Sequence, residues 1–433
     1  MKRLALILAG AAAAVLAVLA VVYLAFTGPG DIPPATVDFD ALGDEEHADL
    51  VARGRYVARA ADCVACHKSE DGLALAGGLP LETPFGTLYG TNVTPSDDHG
   101  IGDWSADDLY RAMVWGINPD GSRLYPAMPY ASYHHVARAD VDALWLYLMA
   151  ERPVDKPNRP AELTFPFNIR PAIAFWNLLY RPDDPGLAEV AGKSESWHRG
   201  RYLVDVLGHC GECHTPRNLA YARTDAHLEG EVIEGALSPD ISPEGLVRRG
   251  WTPEDLARFM REGLSPQGTM TFRMYPVLEH SSRYLTDADM TAMVTYLFDG
   301  APGDGQRDPA LAADAPPRQE ADLPPEGRRL YVGLCAGCHG TEGEGHPHAS
   351  VPLDTNTTAM LDDPLNLVRI IREGVPARTL AGEERMQAMP GFADRLDAAE
   401  MAALANYMRV RWGGRPGDVT PEQVEDIAEA HGG

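Results

Sequence analysis

Read as a pattern of apolar and polar positions, the chain opens on one long apolar run and then repeats a helical pattern three times. After Met1-Lys2-Arg3 no charged residue occurs from Leu4 to Phe26. As a helix this run measures roughly 34 Å at 1.5 Å per residue, enough to cross a bilayer core. Gly28-Pro29-Gly30-Asp31-Ile32-Pro33-Pro34 follows as a tether without regular structure. Three helices then share a prelude: Gly54-Arg55-Tyr56, Gly200-Arg201-Tyr202 and, more loosely, Gly327-Arg328-Arg329-Leu330-Tyr331. Three later runs, Asp140 to Tyr147, Asp287 to Leu297 and Asp397 to Tyr407, begin with acidic residues that suit a helix N-terminus and carry apolar residues three and four apart. Between them lie middle helices. Ser105 caps the first, with Asp108 three residues on; Thr252 precedes Pro253 at the first helical position of the second; Asp363-Pro364 opens the third. The period exceeds a hundred residues, so the expected architecture is all-α and tandem. Proline-dense linkers run from Arg152 to about Pro160, Pro182 to Gly186 and Gly300 to Pro325. The aromatic stretch Leu163 to Arg170, followed by Phe175 to Tyr180, is expected to pack between domains, with a docking patch as the alternative.

Each repeat carries the same five-residue chemistry: Cys63-Val64-Ala65-Cys66-His67, Cys210-Gly211-Glu212-Cys213-His214 and Cys335-Ala336-Gly337-Cys338-His339. Two thiols three residues apart followed by a histidine match covalent attachment of haem c. The thiols add to the vinyl groups and the imidazole ligates the iron. A structural zinc site would need two further ligands per motif, and all six cysteines are already inside the motifs. A thioredoxin-like pair calls for no following histidine and sits in a βαβ pattern that is absent here. Three motifs therefore predict three haems. In the cytochrome c fold that they imply, the first helix crosses the last, and Gly54 and Gly200 would permit close approach opposite Tyr147 and Tyr296.

The 433 residues suffice for three domains. Their expected limits are 45–155, 193–302 and 323–413, after an anchor or signal at 1–27. A formal net charge of −26 makes nucleic acid a poor partner. It is compatible with a basic redox partner, with a saline milieu, or simply with solubility. The apolar run exceeds the roughly 7–15 residues of a secretory signal, and Ala25-Phe26-Thr27 is a weak cleavage site. A retained anchor is therefore expected rather than a cleaved signal. Lys2 and Arg3 keep the N-terminus in the cytoplasm and place the rest on the periplasmic side of the inner membrane.

The ligand opposite each histidine separates electron transfer from catalysis. Met128, in Tyr125-Pro126-Ala127-Met128-Pro129-Tyr130, lies 65 residues after Cys63. Met274 lies 64 after Cys210 and Met270 lies 60 after it, so spacing selects Met274. Met389, in Met389-Pro390-Gly391-Phe392, is chosen over Met386. Thioether ligation would raise the potential and close the iron to substrate. Core filling is the competing role for each methionine. Among the histidines near in sequence (His134, His135, His280, His346 and His348), none recurs at one place in all three repeats.

These segments together resemble the three-haem cytochrome c subunits of bacterial membrane-bound dehydrogenases for alcohols, aldehydes, gluconate and related polyols. The resemblance runs from about Ala52 to Ile427. It rests on Thr83-Pro84-Phe85-Gly86-Thr87, Thr91-Asn92-Val93-Thr94-Pro95, Gly100-Ile101-Gly102-Asp103-Trp104, the Met128 and Met389 loops, Cys213-His214-Thr215-Pro216-Arg217-Asn218, and Asn406-Tyr407 to Trp412-Gly413. It implies three class I cytochrome c domains that accept electrons from a large catalytic quinoprotein, flavoprotein or molybdoprotein and deliver them to membrane ubiquinone or a terminal oxidase. Asn92 and Arg217 look like haem surroundings, Arg217 as a propionate partner, with turn stabilisation the alternative for both. The long apolar run and the irregular loop Gln267 to Met274 depart from the family pattern. An enzyme in its own right, of peroxidase or thiosulfate-oxidising type, would need an open haem or a seventh cysteine. A freestanding carrier is the third reading.

Overall fold

A computed structural model describes residues 2–182, 185–300, 324–380 and 385–431. The chain divides into two compact units: Met1–Glu189 with Asp205–His209, and Val190–Val204 with Cys210–Gly433. The first repeat lies in unit 1; unit 2 holds the second and third. Most of the 300–325 linker, and residues 183 and 184 of the shorter one, lie outside the described residues.

Unit 1 begins with α1 (Lys2–Phe26). Among the described residues no helix is long and apolar enough to cross a membrane, and several α1 side chains, Leu4 to Leu6 among them, are outside that set. The tether after it is irregular, as its prolines and glycines dictate, but it is pinned. Gly30 lies against the Trp115 ring, Thr36 donates its N–H and hydroxyl to Asp142 at 2.7 and 2.8 Å, and Phe39 packs edge-on to Trp145. Then come α2 (Asp44–Ala60), the motif helix α3 (Cys63–His67), a hairpin β1 (Pro80–Thr83) and β2 (Gly86–Tyr89), α4 (Ala106–Trp115), the short α5 (Tyr130–Tyr133) and α6 (Arg138–Ala150). Ser105 caps α4 in a full capping box with Asp108, as its sequence predicts. The 152–160 linker runs over this repeat into β3 (Glu162–Leu163), which adds to β2. The aromatic stretch continues into α7 (Ile173–Tyr180). It packs inward through Ala174 and Asn177, whose Oδ1 accepts from Tyr130 Oη at 2.6 Å. Outward it presents Phe165 and Leu179, 78% and 72% exposed, so it serves packing and leaves an apolar surface.

In unit 2, α8 (Glu195–Arg201) runs through a π-helical turn into the second motif on α9 (Gly211–His214). A hairpin β4 (Glu231–Ile233) and β5 (Ala236–Ser238) follows, then α10 (Pro243–Arg248), α11 (Pro253–Glu262), the two-residue strands β6 (Leu264–Ser265) and β7 (Gly268–Thr269), α12 (Met274–His280) and α13 (Asp287–Phe298). The third repeat comprises α14 (Pro325–Leu334), the motif helix α15 (Ala336–His339), α16 (Leu365–Glu373), strands β8 (Arg378–Thr379) and β9 (Arg385–Met386), and α17 (Ala398–Met408). The helical core continues past Gly413: α18 (Pro421–His431) seals it with Val424, helped by Val419 in the preceding loop.

The all-α expectation therefore needs a correction: short antiparallel hairpins sit among the helices. The β4–β5 turn is a two-residue loop in which Glu234 and Gly235 both have positive φ (49° and 73°). That geometry matches the twist of paired strands and has no hydrophobic period to announce it.

The crossing of first and last helices recurs three times. A Cβ built on Gly54, Gly200 or Gly327 would lie 1.9, 1.9 and 2.1 Å from the carbonyl oxygens of Ala143, Ala292 and Ala403. The same Cβ would meet the Cβ of Tyr147, Tyr296 or Tyr407 at 2.7, 2.8 and 2.6 Å. Only glycine permits this approach. Beside it, Arg53 donates twice to Asp140 Oδ1 and Arg199 donates to both carboxylate oxygens of Asp289, so the acids that open the last helices also tie them to the first.

Candidate haem sites

The three motifs fold as single helical turns, with Cys63 inside α3 and Cys210 and Cys335 in right-handed helical geometry just ahead of α9 and α15. Residues three apart on a helix are neighbours on one face, so each thiol pair projects together. The histidine that follows is held at two points. Its ring Nδ1 lies 2.7 Å from Thr91 O for His67, 2.6 Å from Pro239 O for His214 and 3.0 Å from Val351 O for His339. A carbonyl only accepts, so Nδ1 carries the proton and Nε2 is left with a bare lone pair. The histidine's own carbonyl accepts from a glycine N–H at positive φ: Gly77 at 2.6 Å, Gly230 at 2.8 Å and Gly345 at 2.8 Å. Burial pushes all three imidazoles below their ordinary range, His214 to about 4, so each is neutral at neutral pH. A neutral ring with its Nδ1–H donated to a backbone carbonyl is the form that ligates iron through Nε2.

Burial raises the Cys63 thiol to about 12 and Cys335 to about 11. A redox pair needs a depressed thiolate, and burial moves these two thiols the other way. Among the described residues no three His, Cys, Asp or Glu side chains gather into a metal-holding group, the arrangement a structural zinc ion would require. Paired thiols on a helical turn beside an unprotonated Nε2 fit haem c; Cys63 and Cys66, Cys210 and Cys213, and Cys335 and Cys338 could hold it, and His67, His214 and His339 could ligate its iron.

The methionines divide by register. Gly116 and Gly263 end α4 and α11 in left-handed conformation, and their carbonyls accept from Leu124 N–H (2.9 Å) and Met270 N–H (3.0 Å). Four residues beyond each stands a methionine whose N–H closes a turn onto the residue three back, Met128 to Tyr125 O at 3.0 Å and Met274 to Thr271 O at 3.1 Å. Met128 and Met274 are therefore equivalent, and Met270 matches Leu124. Met270 is fully enclosed by protein, whereas Met128, Met274 and Met389 are each partly exposed. Met389 departs from this register: it pairs with Val375 just after the α16 cap glycine, Gly374, at 2.9 Å in both directions.

Asn92 is buried, and its atoms are used by protein: Nδ2 donates to Val154 O and Lys156 O, and Oδ1 accepts from Thr94. It fixes the loop whose preceding residue, Thr91, holds His67. Arg217 donates to Tyr221 O (2.8 Å), Glu212 O (2.6 Å) and Glu212 Oε2 (2.8 Å), while its buried Nε–H has no acceptor among the described residues and is one donor left for an anionic group. The carbonyls of Thr91, Pro239 and Val351 escape a reading by side chains. Thr91-Asn92-Val93-Thr94-Pro95 and Pro239-Asp240-Ile241-Ser242-Pro243 do align after their hairpins, and that parallel is the signal that could have found two of the three.

With this geometry in place, the cytochrome c family model matches residues 325–412. Over most of its length the chain is similar to the fructose dehydrogenase cytochrome subunit of Gluconobacter japonicus, 35% identical over 88% of this chain and 83% of that one. It is 36% identical to the gluconate 2-dehydrogenase cytochrome c subunit of Pantoea cypripedii, over 92% and 95%. The cytochrome c subunit of the alcohol dehydrogenase (quinone) of Gluconacetobacter polyoxogenes is 33% identical, over 90% and 86%.

Proposed function

The chain belongs to the family of cytochrome c subunits of bacterial dehydrogenases, and from that membership we propose that it relays electrons from a large catalytic subunit to ubiquinone or a terminal oxidase. It is an electron-transfer subunit and does not itself transform an organic substrate. Haem c, when bound, supplies one-electron iron chemistry. The reading takes three tandem cytochrome c domains, one haem in each, and Met128, Met274 and Met389 as the second axial ligands. The observation that carries it is the threefold recurrence of a motif histidine locked with Nδ1–H on a backbone carbonyl and Nε2 bare. The catalytic partner is a quinoprotein, flavoprotein or molybdoprotein. Co-expression with a candidate dehydrogenase catalytic subunit tests this: substrate should reduce the haems only when both chains are present. Reduction by substrate with this chain alone would overturn the reading.

Register supports Met274 over Met270 as ligand. Met274→Leu is expected to abolish the thioether-to-iron absorption of one haem in three, whereas Met270→Leu should leave all three and cost less than about 1.5 kcal/mol as a near-isosteric core change. The reverse pattern would exchange the assignments.

The reading places α1 in the inner membrane, with the remainder in the periplasm. Its 25 residues and its uncharged sequence after Arg3 support this. Alkaline carbonate should leave the chain in the membrane pellet, and release with a processed N-terminus would show a cleaved signal instead.

A further inference from the structure

The second repeat does not complete its own methionine loop. Residues 266–275, which end in Met274 and Tyr275, are lined by side chains and backbone of the third repeat. Thr355 Oγ1 donates to Pro266 O, Thr357 N–H donates to Gln267 O at 3.0 Å, and Asn356 lies against Gly268. Arg369 places its guanidinium 4.7 Å from the Phe272 ring centre. Arg378, on β8, makes two contacts that bracket the methionine: it donates from Nη1 to Met270 O and stacks 3.9 Å from the Tyr275 ring centre. The two repeats are also joined away from the loop. Asn366 exchanges two hydrogen bonds with the backbone of Leu237 at 2.9 and 2.7 Å, as an added strand residue would, and Arg369 donates to Gly235 O.

We propose that Arg378 is a positioning residue for the sixth ligand of the second haem, so that closure of that iron by Met274 depends on the docked third repeat. The inference rests on the assignment of Met274 as ligand. A loop bearing a thioether must hold its sulfur in place against thermal motion, because a weak axial bond cannot also order ten residues of chain. One arginine that fixes the carbonyl four residues before the methionine and the ring one residue after it restrains both sides of the ligand. A guanidinium does this where an ammonium does not, since its planar fork donates in plane while its face stacks. Unit 1 holds its own loop by a similar device. Arg170, from outside the loop, donates to Arg123 O at 3.3 Å and lies 5.1 Å from the Tyr125 ring centre, three residues before Met128. The consequence is functional: the potential of the second haem is set partly by the third repeat, so the two are tuned as a pair.

The test uses the full-length, haem-loaded protein and binding of added imidazole to the ferric form, followed spectroscopically, with a redox titration beside it. Met274→Leu should open one haem of three to imidazole. Arg378→Ala should raise imidazole affinity at that same haem about tenfold and lower its midpoint potential, with haem content and the other two haems unchanged. Arg378→Lys should recover only part of the wild-type behaviour. If Arg378→Ala reduces haem content, Arg369→Ala supplies the reading, with a smaller shift at the same haem. An opened haem in Met274→Leu beside wild-type imidazole binding in the arginine variants would overturn the bracing role alone. Three closed haems in Met274→Leu would overturn the ligand assignment, and the bracing role with it.

Discussion

Gly200→Ala is expected to destabilise unit 2 by about 2–3 kcal/mol, although alanine is the better helix former. The propensity gain is about 1 kcal/mol. Against it stands a Cβ placed 1.9 Å from Ala292 O and 2.8 Å from the Tyr296 Cβ. Both obstacles are backbone or backbone-proximal, so no rotamer change relieves them and α8 and α13 must move apart. Separation costs packing along the whole crossing and stretches the Arg199–Asp289 pair, and overpacking of this kind commonly exceeds the propensity gain. Gly333→Ala is the matched control. It lies in α14 of the same unit with nothing among the described residues within 4 Å of an added Cβ, and should stabilise by up to about 1 kcal/mol. Urea midpoints at unchanged slope measure both. Opposite signs are the expected result, and equal shifts would mean that the crossing is not tight.

Replacing Cys210 and Cys213 together by alanine should remove one covalent haem and interrupt the relay. The second motif has no spare attachment chemistry, since every cysteine of the chain belongs to a motif. His214 keeps its bond to Pro239 O but loses the tethered group that it would ligate. Losses of ten- to a hundredfold are usual when groups behind a metal ligand are removed, so deleting the attachment itself should lower substrate-to-quinone transfer by more than about a hundredfold. Dehydrogenase turnover with an artificial acceptor that bypasses this chain should not change. A fall in both would locate the damage in assembly of the complex.

The sequence reveals local and periodic features well. Ser105, Thr252 and Asp397 cap their helices because side-chain caps act within three residues, and the crossings at Gly54 and Gly200 follow from the recurring prelude, while the one at Gly327 went unread in its looser copy. What stays hidden depends on contacts across the fold. Thr36 on Asp142 converts a proline-rich tether into a packed strap, and nothing near Thr36 in sequence announces a partner 106 residues away. The hairpins are too short to show alternation, and α18 lies past the expected limit at 413 yet places Val424 in the third core. Spacing alone separated Met274 from Met270 by four residues, which is one helical turn and thus weak. The carbonyl of Gly263 resolves the register because it fixes Met270 opposite Leu124 of the first repeat. The bracing by Arg378 joins residues 108 positions apart and leaves no local trace.

The central claim is that this chain carries three covalent haems, one on each motif. Intact mass of the full-length, haem-loaded protein, read beside its absorbance as the alkaline pyridine complex, tests it most directly. Three haems per chain are expected, falling to two when any one cysteine pair is replaced by alanine. Two haems on the unmodified chain, or a count that ignores one of the three substitutions, would contradict it.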